Sequence, residues 1–340
     1  MKDMKIAILT PTFHEFSGID RLVEGQALDL KKKGHAVHVY TLEGSLKPAG
    51  ITVHGLGMPK NGFFQRMYRL LLFMDVFKVG RVAKELAGFD RVIAHLYPMT
   101  VFGAGAKKKN AKIEYVYHNA GVGIVDSYSF FEKQYLKLFN AFNNHFVRSC
   151  DAAVSISKFL AGVLKKETGV ASTVEYIPVD AKRFNGSVSG ARIRKKHSLT
   201  GPTLLYVGRI SPHKGVHLLL QAFERVKKSF PDAQLVIVGK HTFSGYSKQL
   251  KSMQVSGVTF AGFVPDAELP EYYAACSVYT TCSLWEGFDI PIVEAFQCGK
   301  PTVAFSVGSH PEVLKKGKLV DVNDVSGFAD AVIELLNKKS

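Results

Sequence analysis

Short apolar, β-branched runs alternate along the chain with longer stretches of helical period. In the first half the runs are KIAILT, AVHVYT, DRVIAH, KIEYVYH and DAAVSIS; in the second they are TLLYVG, QLVIVG, VTFAGFV, SVYTTCS, PTVAFSV and KLVDV. Runs this short and this apolar predict strands buried on both faces, and the patterns between them, the first from Gly18 to Lys33, predict helices packed on those faces. The βαβ rhythm predicts parallel sheets. It falters at TVEYIPVDAKRFNGSVSG, where Pro, Gly and Ser enter, and restarts at TLLYVG. The predicted division is therefore 1–180 and 181–340, two doubly wound, Rossmann-like α/β domains facing a cleft. Ligands of such sheets bind outside the carboxyl ends of the strands.

Composition narrows the class. In 340 residues, 46% are hydrophobic and 21% charged, which suits two well-buried domains and excludes disorder. The four cysteines form no CxxC and have no nearby histidine pair, so neither zinc site nor disulfide framework is expected, and a reducing cytoplasm is. The opening apolar run is too short for a signal peptide, and no run approaches the ~18 apolar residues of a membrane span. The net charge of +15, spread over both halves, favours phosphate-bearing partners: a nucleotide, a nucleic acid or an anionic membrane surface.

The stretch LWEGFDIPIVEAFQCGKP places two carboxylates, Glu286 and Glu294, in mostly apolar surroundings. Pro291 suits a first helical position and Gly299 a helix stop, so IVEAFQC reads as a short helix with Glu294 in its opening turn, where an acid stabilises the helix dipole. That account leaves Glu286 and the Gly287–Phe288 turn unexplained. A ligand with phosphates at the amides of Asp289 to Ile292, Ile290 included, and sugar hydroxyls at the carboxylates explains both. A second group, YVGRISPHKG, projects Arg209, His213 and Lys214 from a strand end; the arginine fork and lysine point charge suit a diphosphate, against the plainer reading of a solvated basic loop. Gly18, at the first strand-to-helix turn, lets backbone approach a phosphate. His118 ends a strand beside glycine, as a cleft residue would. GAG at 103–105, GVG at 121–123 and the basic run RIRKKH at 192–197 carry no such signal: the first two never become GxGxxG, and the third reads as a solvated face.

These pieces, in this order, resemble the family 4 glycosyltransferases with the GT-B fold. The likeness covers nearly the whole chain, through GHAVHVYT, CDAAVSISKFLAGVL, IPVDAKRF, YVGRISPHKG, AGFVPDAEL, LWEGFDIPIVEAFQCGKPTVAF and SVGSHPEV. The resemblance implies that Glu294 binds the nucleotide ribose and Glu286 lies against the donor sugar near the reacting centre. It implies that Arg209 and Lys214 neutralise the diphosphate, that the base rests on the segment from Gly262 through Phe263 and Val264 to Pro265, that the Gly18 loop approaches the phosphates, and that His118 contacts the transferred sugar. It further implies transfer with retention and without metal or other cofactor, from a UDP- or GDP-sugar to a sugar, lipid or glycan acceptor; the chain has no Asp-x-Asp pair. The chain departs from the family at Asp289, where glycine is usual, at Ser309 and His310, where glycine and an apolar residue are common, and at the IPVD crossover, which lacks the usual Asn-Gly. It also stops soon after ADAVIELLNKKS, where many members continue into a longer helix.

Two other classes compete. A sugar-nucleotide epimerase uses a similar scaffold and would act on donor alone. A basic nucleic-acid-binding protein fits the charge, but no nucleic-acid motif is present. Finally, the stretch from Phe63 to Lys84 interleaves Arg66, Arg69, Lys78, Arg81 and Lys84 with Phe63, Phe64, Tyr68, Leu71, Phe73 and Phe77, and SYSFFEKQYLKLFNAFNNHFVRS repeats the mixture. A helix of this kind either covers a sheet or meets an anionic membrane, which would place the protein peripherally on its inner face.

Overall fold

The computed structural model describes residues 3–14, 18–242 and 244–338. The chain forms two compact units, Met1–Ile124 with Ser129–Ile177, and Val125–Tyr128 with Pro178–Ser340.

In the first unit the strands are β1 (Lys5–Phe13), β2 (Ala36–Gly44), β3 (Thr52–Gly55), β4 (Arg91–His95), β5 (Glu114–Asn119), β6 (Ala152–Ser155) and β7 (Thr173–Val174). They make one parallel sheet in the order β3-β2-β1-β4-β5-β6-β7. Both faces are covered, as the period of two requires: on β1, Ala7 and Leu9 join one buried cluster while Ile6 and Ile8 join the other.

In the second unit β8 (Thr203–Val207), β9 (Gln234–Val238), β10 (Val258–Gly262), β11 (Val278–Thr281), β12 (Thr302–Phe305) and β13 (Gly317–Val320) form a parallel sheet ordered β10-β9-β8-β11-β12-β13. Its core packs Leu204, Tyr206, Leu235 and Ile237 from the strands against Leu219, Phe223, Phe328 and Val332 from the helices Val216–Ser229 and Val325–Asn337. The chain builds outward from β8 to β10, then returns to β11 on β8's other side. The strand order reverses between β8 and β11, and that is where a doubly wound sheet opens a crevice at its carboxyl edge.

Two sequence expectations are corrected. The helix after Glu286 is Ile290–Gln297, with Asp289 as N-cap, so Pro291 is its second residue and Glu294 lies beyond the first turn. The aromatic-basic stretch is not one helix: it breaks into Gly62–Leu70, a single 3₁₀ turn at Leu72–Met74, and Val76–Leu86. The break lies at Asp75, whose carboxylate caps the third segment by accepting from the Lys78 amide at 3.0 Å.

Candidate functional site

The loops following β8 and β11 meet at the switch point. After β8 comes Gly208-Arg209, then a 3₁₀ turn at Pro212–Lys214, and Gly215, with φ +62°, turns the chain into the next helix. A Cβ at Gly215 would lie 1.9 Å from the Cys282 carbonyl, so only glycine lets this loop lie against the end of β11. The Leu284 amide donates to the His213 carbonyl at 2.8 Å, locking the two loops together. Buried tyrosines brace them from below: Tyr206 donates to the Arg209 carbonyl at 2.9 Å and Tyr279 to that of Val207 at 3.3 Å.

This scaffold brings Lys214 Nζ onto Glu286 Oε1, an ion pair with both side chains largely buried. The backbone of Glu286 is clamped in turn. Ser309 N donates to its carbonyl at 3.1 Å, and Gly308, at φ +51°, passes so close that a Cβ would lie 2.1 Å from that oxygen. Arg209, on the same loop as Lys214, is exposed and forms no ion pair among the described residues. His213 does not add a third charge. Burial, reinforced by Lys214 and Arg209 and only partly opposed by Glu286, pulls its pKa down to about 3. Its Nδ1 lies 2.9 Å from the Tyr128 hydroxyl and 3.2 Å from that of Ser211.

Glu294 is buried and accepts a 2.6 Å hydrogen bond from Tyr273. Burial first, and then the Glu294 charge, keep the Tyr273 phenol protonated and able to donate. Asp289 takes φ +57°, a left-handed position that glycine occupies without cost and aspartate tolerates. As an N-cap it makes no side-chain cap bond. Its Oδ2 lies instead 2.9 Å from Nε2 of His310, a wholly buried ring whose Nδ1 lies 2.6 Å from the Phe305 carbonyl. Burial pushes His310 toward its neutral form, but the hydrogen bond and charge of Asp289, with Glu286 and the Phe305 carbonyl, outweigh it and raise the pKa above the ordinary value.

The remaining expected residues are placed less tightly. Gly287 and Phe288 are buried, and Ile290 is partly exposed. Gly262 ends the edge strand β10 at φ +70° with its carbonyl accepting from Gly239 N at 2.8 Å. Phe263 is exposed with Lys240 Nζ 4.7 Å from its ring centre, and Val264 is buried. In the first unit Gly18 is exposed at the start of its helix, and residues 15–17 before it lie outside the described residues. His118 is buried at the end of β5 and stacks on His95 of β4, with ring centres 4.5 Å apart. Burial lowers the His118 pKa to about 4, so the ring is neutral at pH 7. His95 was not singled out from sequence, nor were Gln26, which lies 2.9 Å from His95 Nε2, Tyr273 or Tyr128. A histidine ending β4 in register with His118 was the available signal.

Two family models cover almost the whole chain between them: Glycosyltransferase Family 4 matches residues 16–182, and Glycosyl transferases group 1 matches residues 191–340. The chain belongs to the family 4 glycosyltransferases. Among curated relatives, the GDP-mannose-dependent alpha-(1-6)-phosphatidylinositol monomannoside mannosyltransferase of Mycobacterium tuberculosis is 32% identical over 205 residues, 55% of this chain and 52% of that protein. The O-antigen chain mannosyltransferase B of Escherichia coli is 32% identical over 147 residues, 40% of this chain and 37% of that one. The chain thus spans about half or less of the length of these relatives. Among solved structures, Anabaena Alr3699/HepE in complex with UDP and glucose matches 99% of this chain and 90% of its own, with TM-score 0.80 and 22% identity. WaaG, a glycosyltransferase involved in lipopolysaccharide biosynthesis, matches 98% and 91% with TM-score 0.77 and 17% identity. The fold is the two-domain, Rossmann-like GT-B fold. Both family models describe glycosyl transfer, which leaves the epimerase reading without support.

Proposed function

We propose that this protein is a retaining, metal-independent hexosyltransferase that takes its sugar from a GDP- or UDP-linked donor and passes it to a hydroxyl of a lipid or a growing glycan. The observation that carries this reading is the meeting of Lys214 with Glu286 at the switch point of a sheet whose family transfers sugars. The mannosyltransferase relatives favour GDP-mannose as the first donor to test. As the bond from the anomeric carbon to the diphosphate breaks, negative charge grows on the departing phosphate; Lys214 and Arg209 are the cations that stabilise it, the role a metal plays elsewhere. The acceptor oxygen bonds to the anomeric carbon on the same face, and its proton passes to the departing phosphate oxygen. Glu286, fixed by Lys214, lies against the sugar, and Glu294 holds the ribose. His118, neutral, offers a hydrogen bond to the transferred sugar, and Phe263 a face for the base.

The test is a panel of nucleotide sugars followed by thermal shift and product analysis. A donor at about 100 times its dissociation constant adds ~2.7 kcal/mol of stability. The expected product keeps the donor's anomeric configuration by NMR, and turnover survives EDTA. Absence of any stabilising nucleotide sugar, an inverted product, or loss of turnover restored by a divalent ion would overturn the reading.

The acceptor class connects to the surface of the first unit. No helix among the described residues is long and apolar enough to cross a membrane. Yet Phe63, Phe64 and Met67 on Gly62–Leu70 are exposed, as are Phe130 and Phe131 at the start of Phe130–Val147, and Tyr135 of that helix donates to the Arg66 carbonyl at 3.3 Å. Phe77 is 89% exposed. The basic rim is narrower than the sequence pattern predicts: Arg66, Arg81 and Lys84 are exposed, Arg69 is partly buried, and Lys78 is tied to the Gly57 carbonyl. Of the aromatic and apolar partners, Tyr68, Leu71 and Phe73 are partly covered. Exposed aromatic rings beside cations suit an anionic lipid surface, each cation contributing about 1 kcal/mol at low salt. We expect sedimentation with anionic but not neutral vesicles, reversed by moderate salt and lost when Arg66, Arg81 and Lys84 become glutamate. Failure to sediment at low salt would move the acceptor toward soluble glycans and leave a cytoplasmic protein without membrane attachment.

A further inference from the structure

Asp289 and His310, where the resemblance led to the expectation of glycine and an apolar residue, are in contact. The His310 ring makes two contacts, one to Asp289 and one to the Phe305 carbonyl, and together they need two protons where a neutral imidazole carries one. The Phe305 carbonyl only accepts, so His310 Nδ1 carries a hydrogen; Nε2 faces Asp289 Oδ2, so a second proton lies between them. The pair is therefore a proton-holding unit, buried at both ends. Helix capping does not account for Asp289, because its carboxylate leaves the amides of Ile290–Gln297 alone and turns to the histidine. Its left-handed backbone would suit glycine better. Nor does the pair stand apart from the candidate site: ligand atoms of Glu286, Asp289 and His310 all lie within 4.8 Å of one another.

We infer that Asp289, held in place by His310, reads the hydroxyls of the transferred sugar. Asp289 is then a specificity-determining residue and His310 its positioning residue, an assignment that rests on the donor site proposed above. The carboxylate stands next to Glu286, the group assigned to the sugar rather than to the nucleotide. His310 engages Oδ2, and Oδ1 is the acceptor that the inference assigns to a hydroxyl. Glycine at this position offers no such acceptor. An acceptor fixed by a buried ring distinguishes epimers, because moving one hydroxyl from axial to equatorial leaves the carboxylate without its donor. A divalent cation is a weaker occupant of the same three side chains, since the Lys214 ammonium already sits on Glu286.

The experiment compares Asp289→Gly, His310→Leu, the double variant and Asp289→Asn. Each single replacement strands one buried polar partner and is expected to lower Tm. The double variant removes both and is expected to recover most of it. Its kcat/KM ratio between two epimeric hexoses on the same nucleotide shifts by about tenfold to a hundredfold, the worth of one hydrogen bond to a charged group. Asp289→Gly, which takes the left-handed backbone without strain and removes the acceptor, shifts the same ratio even if the double variant does not fold; Asp289→Asn, whose amide donates to His310 Nε2 and leaves Oδ1 to the sugar, shifts it less. An unchanged epimer ratio in Asp289→Gly and in the double variant would overturn the inference, as would a Tm rise on adding Zn²⁺ or Mn²⁺ that wild type shows and the double variant lacks. A wild-type protein that binds no nucleotide sugar would instead overturn the proposed function.

Discussion

The Arg209→Ala, Lys214→Met double variant is expected to lose at least about a thousandfold in kcat, because each removed donor at a developing negative charge is worth about two to three orders of magnitude. The two cations reach this point differently. Arg209 is exposed, so its single replacement is expected to leave stability within about 0.5 kcal/mol while lowering kcat. Lys214 is paired with Glu286 in a largely buried setting, and removing it leaves that carboxylate without its cation, a loss on the order of 3 kcal/mol. A fall in activity could therefore reflect a damaged site instead of a missing charge. Combining Lys214→Met with Glu286→Gln removes both charges and is expected to restore Tm; measured against Glu286→Gln alone, which carries the loss due to Glu286 itself, the pair is expected to lose a further factor of about a hundred in kcat. Activity within about tenfold of wild type in the Arg209, Lys214 variant, or recovered with Tm in the Lys214, Glu286 variant, would refute the assignment of these cations to the leaving group.

The sheets were legible because they are buried on both faces. β1 and β8 have both faces covered, so residues 6–9 and 204–207 run apolar without interruption, and short runs of this kind between helical patterns leave few alternatives. The candidate site was legible as separate pieces. Glu286, Glu294, Arg209 and Lys214 stood out as charges in apolar or glycine-rich surroundings, but the Lys214–Glu286 pair joins loops 72 positions apart and depends on the strand order, which no local pattern contains. Glu294 was placed in the wrong turn because Pro291 is equally at home as first or second residue of a helix. What starts this helix one residue earlier is the left-handed backbone of Asp289, a conformation that residue type only permits. The long aromatic-basic helix failed for a similar reason: the periodicity runs through Asp75, but its carboxylate bonds the amide three residues on and begins a new helix. The departures at Asp289 and His310 were visible singly, and only the fold shows that they are one feature.

Glu294→Ala is expected to raise the dissociation constant for GDP or UDP by about tenfold to a hundredfold, the cost of losing hydrogen bonds from ribose hydroxyls to a charged acceptor. Glu286→Ala is expected to leave that constant nearly unchanged and lower kcat. The distinction follows from what each carboxylate meets: the ribose is the same before and after transfer, so binding to it is uniform, whereas the anomeric carbon changes bonding and rewards contacts made in the transition state. Structure adds a complication at Glu294. Its removal strands the buried Tyr273 hydroxyl, at a cost of about 1–3 kcal/mol, so weaker binding could follow from a loosened helix. Tyr273→Phe, which deletes the hydroxyl and keeps the carboxylate, isolates that part. It is expected to keep nucleotide affinity within about threefold, and the Glu294→Ala, Tyr273→Phe pair is expected to bind as poorly as Glu294→Ala while regaining stability. If calorimetry instead finds nucleotide affinity intact in Glu294→Ala, or lost equally in Tyr273→Phe, Glu294 supports the helix and the ribose is held by other groups.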